Sequence, residues 1–266
     1  MLAIIRGAGD IATAIALRLW RCGISVVMTE IEQPLTVRRT VAFSEAVRLG
    51  QMQVEGVLAV RVQDVRQVRE VHERKHAIPV LVDPECHCIE LKPDVVVDAI
   101  LAKRNLGTTM DMAPVVVGVG PGFTAGEDCH AVVETMRGHT LGRTYYEGSA
   151  LPNTAVPGLV GGFAGERVLR APADGLFRGV CAIGDHVDEG QVVAYVEDVP
   201  VAAMLTGVLR GLIADGVRVS KGLKCGDVDP RGDACYCQLV SDKGLSVAGG
   251  VLEAILCLSG ILGNRQ

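Results

Sequence analysis

The sequence predicts an α/β protein in which a parallel-sheet domain is followed by a small β domain and a C-terminal helix. Three observations carry that expectation. The chain opens with two short apolar runs flanking a glycine turn and a helix-like stretch; three later apolar runs end in polar or glycine-rich loops; and a pattern of short strands and turns repeats in the second half.

Residues 2–5 are apolar, Gly7-Ala8-Gly9 follows, 11–20 reads as a helix, and a second apolar run at 24–28 ends in Thr29-Glu30. This is the strand–turn–helix–strand order of a Rossmann-like dinucleotide unit. The string GAGDIA fits G-x-G-x-x-[GA], with Ala12 in the third place. Gly7 permits the tight turn, Gly9 lets a phosphate approach, and the helix N-terminus faces that phosphate. Glu30 stands where an acidic residue would accept from ribose hydroxyls. Asp10 is a good N-cap, although its charge opposes a phosphate. Gly7, Gly9, Asp10 and Glu30 are therefore cofactor-binding candidates.

Pro34 suits a helix start, and Arg38 and Arg39 are placed near the sheet's carboxyl edge, where arginine clamps a phosphate or pterin-type anion. Residues 57–62 read as a strand and 64–76 as a surface helix capped by Asp64. Runs at 79–82, 94–101 and 115–119 read as buried strands. They end at Asp83-Pro84-Glu85-Cys86-His87-Cys88, at Lys103-Arg104-Asn105 and at the GPGFTAG loop, whose Gly120 and Gly122 join the cofactor-binding candidates. Residues 130–136 and 143–147 read as an antiparallel excursion.

Pro152, Pro157 and Gly161-Gly162 mark a linker. The expected domains are 1–150 (Rossmann-like), linker 151–166, a β domain at 167–230, and a C-terminal segment at 231–266 with a helix over 251–258. Within the β domain an I-x-D/G-G-x-x-V-x-x-G pattern occurs twice, around Asp185 and around Asp215. It resembles the biotinyl/lipoyl hammerhead. Carriers of that fold hold their group on a lysine at a hairpin tip; residues 197–204 contain none, so a non-carrier docking module is expected.

Apolar residues are 49% and charged residues 21%, which excludes a disordered chain. Aromatics at 3% and a net charge of −5 speak against nucleic-acid binding. No run spans a bilayer, and Arg6 and Asp10 interrupt the only leader-like stretch. Nine cysteines without a dense disulfide spacing point to a reduced, cytoplasmic setting. Cys22, Cys181 and Cys257 sit in apolar contexts and are expected to be buried apolar residues.

Three cysteine groups stand out: Cys86-His87-Cys88, Asp128-Cys129-His130 and Cys235-Tyr236-Cys237. A C-x-C pair in a strand puts both sulfurs on one face, within reach of one metal. Thiolates also serve as nucleophiles or chalcogen carriers, and nearby His or Arg lowers their pKa. Cys86, Cys88 and Cys129 are the catalytic candidates. The same three with His130 are the metal-ligand candidates, and a structural role near a turn is the default for Cys235 and Cys237.

RGAGDIATAIALRL, EIEQPLTVRRTVAFSEAV, VDPE, GVGPGFTAGEDCHAVVETMRGHTLGR and DVDPRGD, followed by GGVLEAIL, together resemble the YqeB family. The resemblance implies a bacterial accessory protein of the selenium-dependent molybdenum hydroxylase system, similar in role to XdhC-type chaperones. It carries over no catalytic residue. The lead expectation is a maturation chaperone that binds molybdenum cofactor, or another nucleotide-like ligand, or handles its selenium. Its expected partners are the hydroxylase and a selenium donor protein. The alternatives are an NAD(P)-dependent oxidoreductase and a non-catalytic scaffold with a vestigial Rossmann fold. The apolar C-terminal helix leaves room for a homodimer.

Overall fold

The computed structural model describes residues 1–154, 156 and 158–263. They form two compact units: Met1–Pro34, Phe43–Thr154 and Val240–Gln266 make the first, Leu35–Ala42 and Ala155–Leu239 the second. The chain thus leaves the first unit briefly at 35–42, and its C-terminal segment returns to it from 240 onward. Pro157 of the expected linker lies outside the described residues.

The first unit contains β1 (Leu2–Arg6), α1 (Asp10–Arg21), β2 (Ser25–Glu30), α2 (Glu45–Leu49), β3 (Gln51–Val54), β4 (Val57–Val62), α3 (Val65–Arg74) and β5 (Ile78–Val82). It continues with β6 (Val95–Asp98), β7 (Val115–Val119), β8 (Thr124–Ala125), β9 (Ala131–Val133), β10 (Thr144–Tyr145), β11 (Gly148–Ser149) and, at its end, α4 (Asp242–Leu258). Nine strands form one sheet in the order β10-β9-β7-β6-β1-β2-β5-β4-β3. The inner pairs are parallel, and β3 and β10 run antiparallel at the two edges. β6 and β7 are buried along their whole length, which explains their near-continuous valine.

α3 starts at Asp64, whose carboxylate accepts from the Gln67 amide at 2.9 Å, and stops at Lys75 in the left-handed region. α4 starts at Asp242 under a Ser241 cap, earlier than the sequence pattern places it. Gly244, Gly249 and Gly250 lie inside it although glycine disfavours helix by about 1 kcal/mol. Packing accounts for two of them. A Cβ on Gly244 would stand 2.8 Å from the Ala14 Cβ on α1, and one on Gly250 would stand 2.3 Å from the Gly142 carbonyl oxygen. A Cβ there would also meet Val133, whereas its strand neighbour Val132 packs with Ile4, Val27, Val96 and Val116 on the other face. Cys86, Cys88, Cys129 and Val68 of α3 share that second cluster. No helix among the described residues is long and apolar enough to cross a membrane.

The second unit holds β12 (Val168–Arg170), β13 (Gly175–Gly179), β14 (His186–Val187), β15 (Val192–Val196), β16 (Val199–Ala202), β17 (Gly207–Leu212), β18 (Arg218–Val219) and β19 (Lys224–Asp229). They form two four-stranded sheets, β12-β19-β17-β14 and β16-β15-β13-β18, antiparallel throughout. Phe177, Val193, Leu209, Leu212 and Val228 are among the residues of its core. Beside that core lies a buried charge network. Asp227 meets Arg167 at 3.0 Å and also Arg210, which reaches Asp229 at 3.1 Å.

The expected fold class, a Rossmann-like parallel sheet followed by a biotinyl/lipoyl-like hammerhead, is corrected. The large sheet is mixed, and three antiparallel sheets accompany it. The connections from β5 to β6 and from β6 to β7 contain only the short 3-10 turns His87–Leu91 and Met110–Met112. A doubly wound sheet needs a helix in such crossovers. These segments are too punctuated by Pro84, Pro93, Gly107 and Pro114 to build one.

Candidate functional site

The parallel strands deliver Arg6, Glu30, Asp83 and Asp98 to one edge of the large sheet, the carboxyl edge where open α/β sheets place their ligands. The glycine turn there is satisfied by the protein itself. The Gly7 amide donates to the Thr29 carbonyl at 2.9 Å. The Ala8 amide donates to the Glu30 carboxylate at 3.0 Å, whose other oxygen accepts from Ile31 at 2.8 Å. Burial holds the Glu30 carboxyl above the usual carboxylate range, in spite of these two amides.

The glycines of this edge make room for protein rather than for an open cradle. A Cβ on Gly7 would stand 3.0 Å from the Ala99 carbonyl oxygen. One on Gly120 would stand 2.8 Å from the Thr135 hydroxyl, and one on Gly122 2.6 Å from the Arg104 Cα. Gly9 is the N-cap of α1, and Asp10 lies in its first turn, where a carboxylate suits the helix dipole. Arg38 and Arg39 belong to the second unit. Arg38 donates to the Tyr236 and Leu239 carbonyls at 2.8 and 3.0 Å, and Arg39 to the Leu212 carbonyl at 2.7 Å. The chain leaves the first unit at Leu35, ahead of both arginines.

The cysteines are arranged differently from one another. Asp83 follows β5 and folds the next residues over itself. Its carboxylate accepts from the His87 amide at 2.9 Å, the Cys88 amide at 2.8 Å and lies 3.0 Å from His87 Nδ1. This forces Cys86 into the left-handed region, φ +61°, a rare state for a residue with a Cβ. Both thiols are buried, and they lie in one apolar cluster of the first unit. The hydrogen bond from Cys88 lowers the Cys86 pKa; burial opposes this and the Arg6 charge assists it. The same bond and burial push Cys88 up.

Arg6 is the post beneath this turn. Its guanidinium donates to the Thr108 hydroxyl, to the Leu106 carbonyl at 3.1 Å and to the Pro84 carbonyl at 3.3 Å, and pairs with Asp98 at 3.5 Å. Thr108 donates onward to Asp98 at 2.6 Å. Arg6, Asp98 and Thr108 escaped the sequence reading as site residues. The available signal was charge at the ends of two otherwise apolar strands, Leu2–Arg6 and Val95–Asp98.

Cys129 is fully buried, and burial pushes its thiol up to about 11. His130 closes the β7 edge instead: its Nδ1 accepts from the Val116 amide at 3.0 Å. Among the described residues no group of three or more His, Cys, Asp or Glu side chains is placed to hold a metal ion, so the metal set Cys86, Cys88, Cys129 and His130 is not assembled. Cys22 and Cys257 are exposed and Cys181 half-buried, contrary to their expected burial. Cys237 is buried and Cys235 exposed.

No family model matches the chain. A protein of Escherichia coli K12 described as uncharacterized protein YqeB is 52% identical over 258 residues, covering 97% of this chain. The chain is similar to YqeB. It spans about half of that relative, 48% of its length. This supports the YqeB resemblance read from the sequence, and nothing in it supports the selenium and molybdenum role attached to that resemblance.

Among solved structures, an aspartoacylase family protein from Mesorhizobium loti is 12% identical with a TM-score of 0.27, covering 85% of this chain and 83% of its own. A succinylglutamate desuccinylase from Silicibacter sp. TM1040 is 12% identical with a TM-score of 0.26, covering 85% and 84%. Likeness at that level transfers no activity to this chain. The expected molybdenum-hydroxylase chaperone and the NAD(P) oxidoreductase are corrected on the geometry of the residues they relied on: the glycine turn, Arg38 and Arg39 are engaged within the protein as described.

Proposed function

We propose that the chain carries a dithiol redox site at the carboxyl edge of its large sheet, with Cys86 as the attacking thiolate and Cys88 as the resolving thiol. The observation that carries this reading is the turn that holds two buried thiols one residue apart, with Cys86 at φ +61° and the Pro84 carbonyl bonded to the Arg6 guanidinium. The neighbouring Cys88 and the Arg6 charge lower the Cys86 thiol while Cys86 and burial raise Cys88, so the two thiols are unequal in acidity. Unequal, adjacent thiols are what thiol–disulfide exchange requires.

The Cys86 thiolate attacks a disulfide of the oxidant, forming a mixed disulfide and releasing one thiolate. Cys88 loses its proton and attacks the Cys86 sulfur, closing the Cys86–Cys88 disulfide and releasing the second thiolate. Two electrons pass to the oxidant. Both sulfurs are buried, so exchange requires the His87–Leu91 turn to lift from Asp83.

Timed alkylation of the reduced full chain with iodoacetamide, mapped by mass spectrometry, tests the assignment. Cys86 is expected to keep reacting as the pH falls below the ordinary thiol range, while Cys88 and Cys129 fall silent. Equal pH profiles for the three would overturn it.

A further inference from the structure

We propose that the loop at residues 101–104, which leaves β6 at the carboxyl edge of the large sheet, binds a phosphate group through its backbone amides and the Lys103 and Arg104 side chains. The inference goes beyond the dithiol reading and stands without it.

The backbone carries the first observation. φ is +61° at Leu101 and +63° at Lys103, and it is not positive at Ala102 between them. Neither Leu nor Lys favours the left-handed region, and two such residues within three are strain of the kind that clusters at ligand-holding loops. Backbone that alternates in hand turns successive N–H groups to one side, a concavity that accepts an anion. The amides of Leu101, Ala102 and Lys103 have no acceptor among the described residues. Each therefore remains open to the oxygens of a ligand.

Charge is the second observation. The Lys103 and Arg104 side chains are exposed and make no ion pair among the described residues. The carboxylates bonded to this loop are already engaged. Asp98 accepts from the Ile100 amide at 3.2 Å and the Thr108 hydroxyl at 2.6 Å, and pairs with Arg6. Asp128 accepts from Asn105 Nδ2 at 3.0 Å and the Thr124 amide at 2.8 Å. The loop thus presents open donors and two cations with no carboxylate set against them. Guanidinium, ammonium and a run of amides together suit the several oxygens of a phosphate.

The shape is held before any ligand arrives. Asn105 braces the loop through the Thr108 carbonyl at 2.8 Å and the Thr108 amide at 2.7 Å. Arg6 Nη2 donates to the Leu106 carbonyl at 3.1 Å, and Gly122 leaves room for the Arg104 backbone. A loop fixed in this way loses little further freedom on binding.

The test is a titration of the full chain with inorganic phosphate, methyl phosphate and acetate at constant low ionic strength, followed by amide NMR. Saturable shifts are expected at Leu101, Ala102 and Lys103 with both phosphates. Two variants at one position separate the backbone from the charge. Lys103→Gly loses the cation but keeps the left-handed backbone, and should weaken binding about tenfold, as for one charged hydrogen bond. Lys103→Val loses the same cation and disfavours that backbone, and should abolish saturable shifts; a thermal melt establishes that it folds. Should it not fold, Arg104→Ala, expected to weaken binding about tenfold, decides beside Lys103→Gly. Cys86→Ser should bind phosphate as the wild type does. A wild type without saturable shifts would overturn the inference and leave the dithiol standing. Equal binding by folded Lys103→Val and Lys103→Gly would overturn the amide cradle, and acetate binding as tightly as phosphate would overturn the phosphate assignment.

Discussion

Glu30 receives the amide of Ala8 at 3.0 Å, so the glycine turn after the first strand is closed by the end of the second. The residue expected to read a ribose instead satisfies the turn, and the same carboxylate fixes the departing chain through Ile31. Replacing Glu30 by Ala leaves the Ala8 amide without its acceptor. A loss of about 1–3 kcal/mol is expected from an unsatisfied buried donor, read as a lower urea midpoint with unchanged slope.

Gly122 and Gly126 both have positive φ, +109° and +91°, but only Gly122 is crowded. An alanine at 126 meets open space and should cost about 1–2 kcal/mol for the left-handed backbone alone. An alanine at 122 meets the Lys103–Arg104 backbone and should cost distinctly more. Thermal melts of the two variants compare them directly. Equal melting points would contradict the close packing of those loops.

In the second unit, Arg210 is the cation shared by Asp227 and Asp229. Arg210→Met strips a partner from two buried carboxylates and should cost about 3–5 kcal/mol. Arg231 also pairs with Asp229 but is 42% exposed; Arg231→Met should cost about 1 kcal/mol or less. Urea denaturation of the two variants separates them.

The same carboxylates set an acid limit. Burial raises the Asp227 pKa, but Lys224, Arg210 and Arg167 outweigh it and hold it below the usual carboxylate range; Asp229 is lowered in the same sense by Arg231 and Arg210 against its own burial. A depressed folded pKa stabilises above the unfolded value, about 3.9 for Asp, and that contribution is lost as the pH falls from there through the folded value. Unfolding midpoints measured from neutral pH downward should therefore drop below about pH 4. In Arg210→Met the drop should be shallower, because part of the depression is gone.

Much of the chain's layout was legible because local signals and packing agree. The valines of β6 and β7 announced strands buried on both faces, and Asp64 announced the start of α3. Local signals failed where distant chain decides the outcome. Gly249-Gly250 read as the approach to a helix, yet they lie inside α4, where Gly250 lets the Gly142 carbonyl come close. The glycines of GAGDIA and GPGFTAG are as useful for admitting a neighbouring backbone as a phosphate, and only the tertiary structure shows which neighbour fills the space. Cys86 and Cys88 were legible as a pair, but their unequal acidity was not. It comes from the interaction of the two thiols and their burial, assisted at Cys86 by Arg6, which stands far upstream at the end of the first strand.

The measurement that bears most directly on the proposed function is an equilibrium redox titration of the purified full chain in glutathione buffers, with the disulfide located by peptide mapping. The account predicts one reversible two-electron transition that maps to Cys86–Cys88 and vanishes in Cys86→Ser and in Cys88→Ser. Its midpoint should lie between about −300 and −120 mV, the span of exchangeable protein dithiols. Persistence of both free thiols in fully oxidising buffer would contradict the account, as would a disulfide that maps to other cysteines.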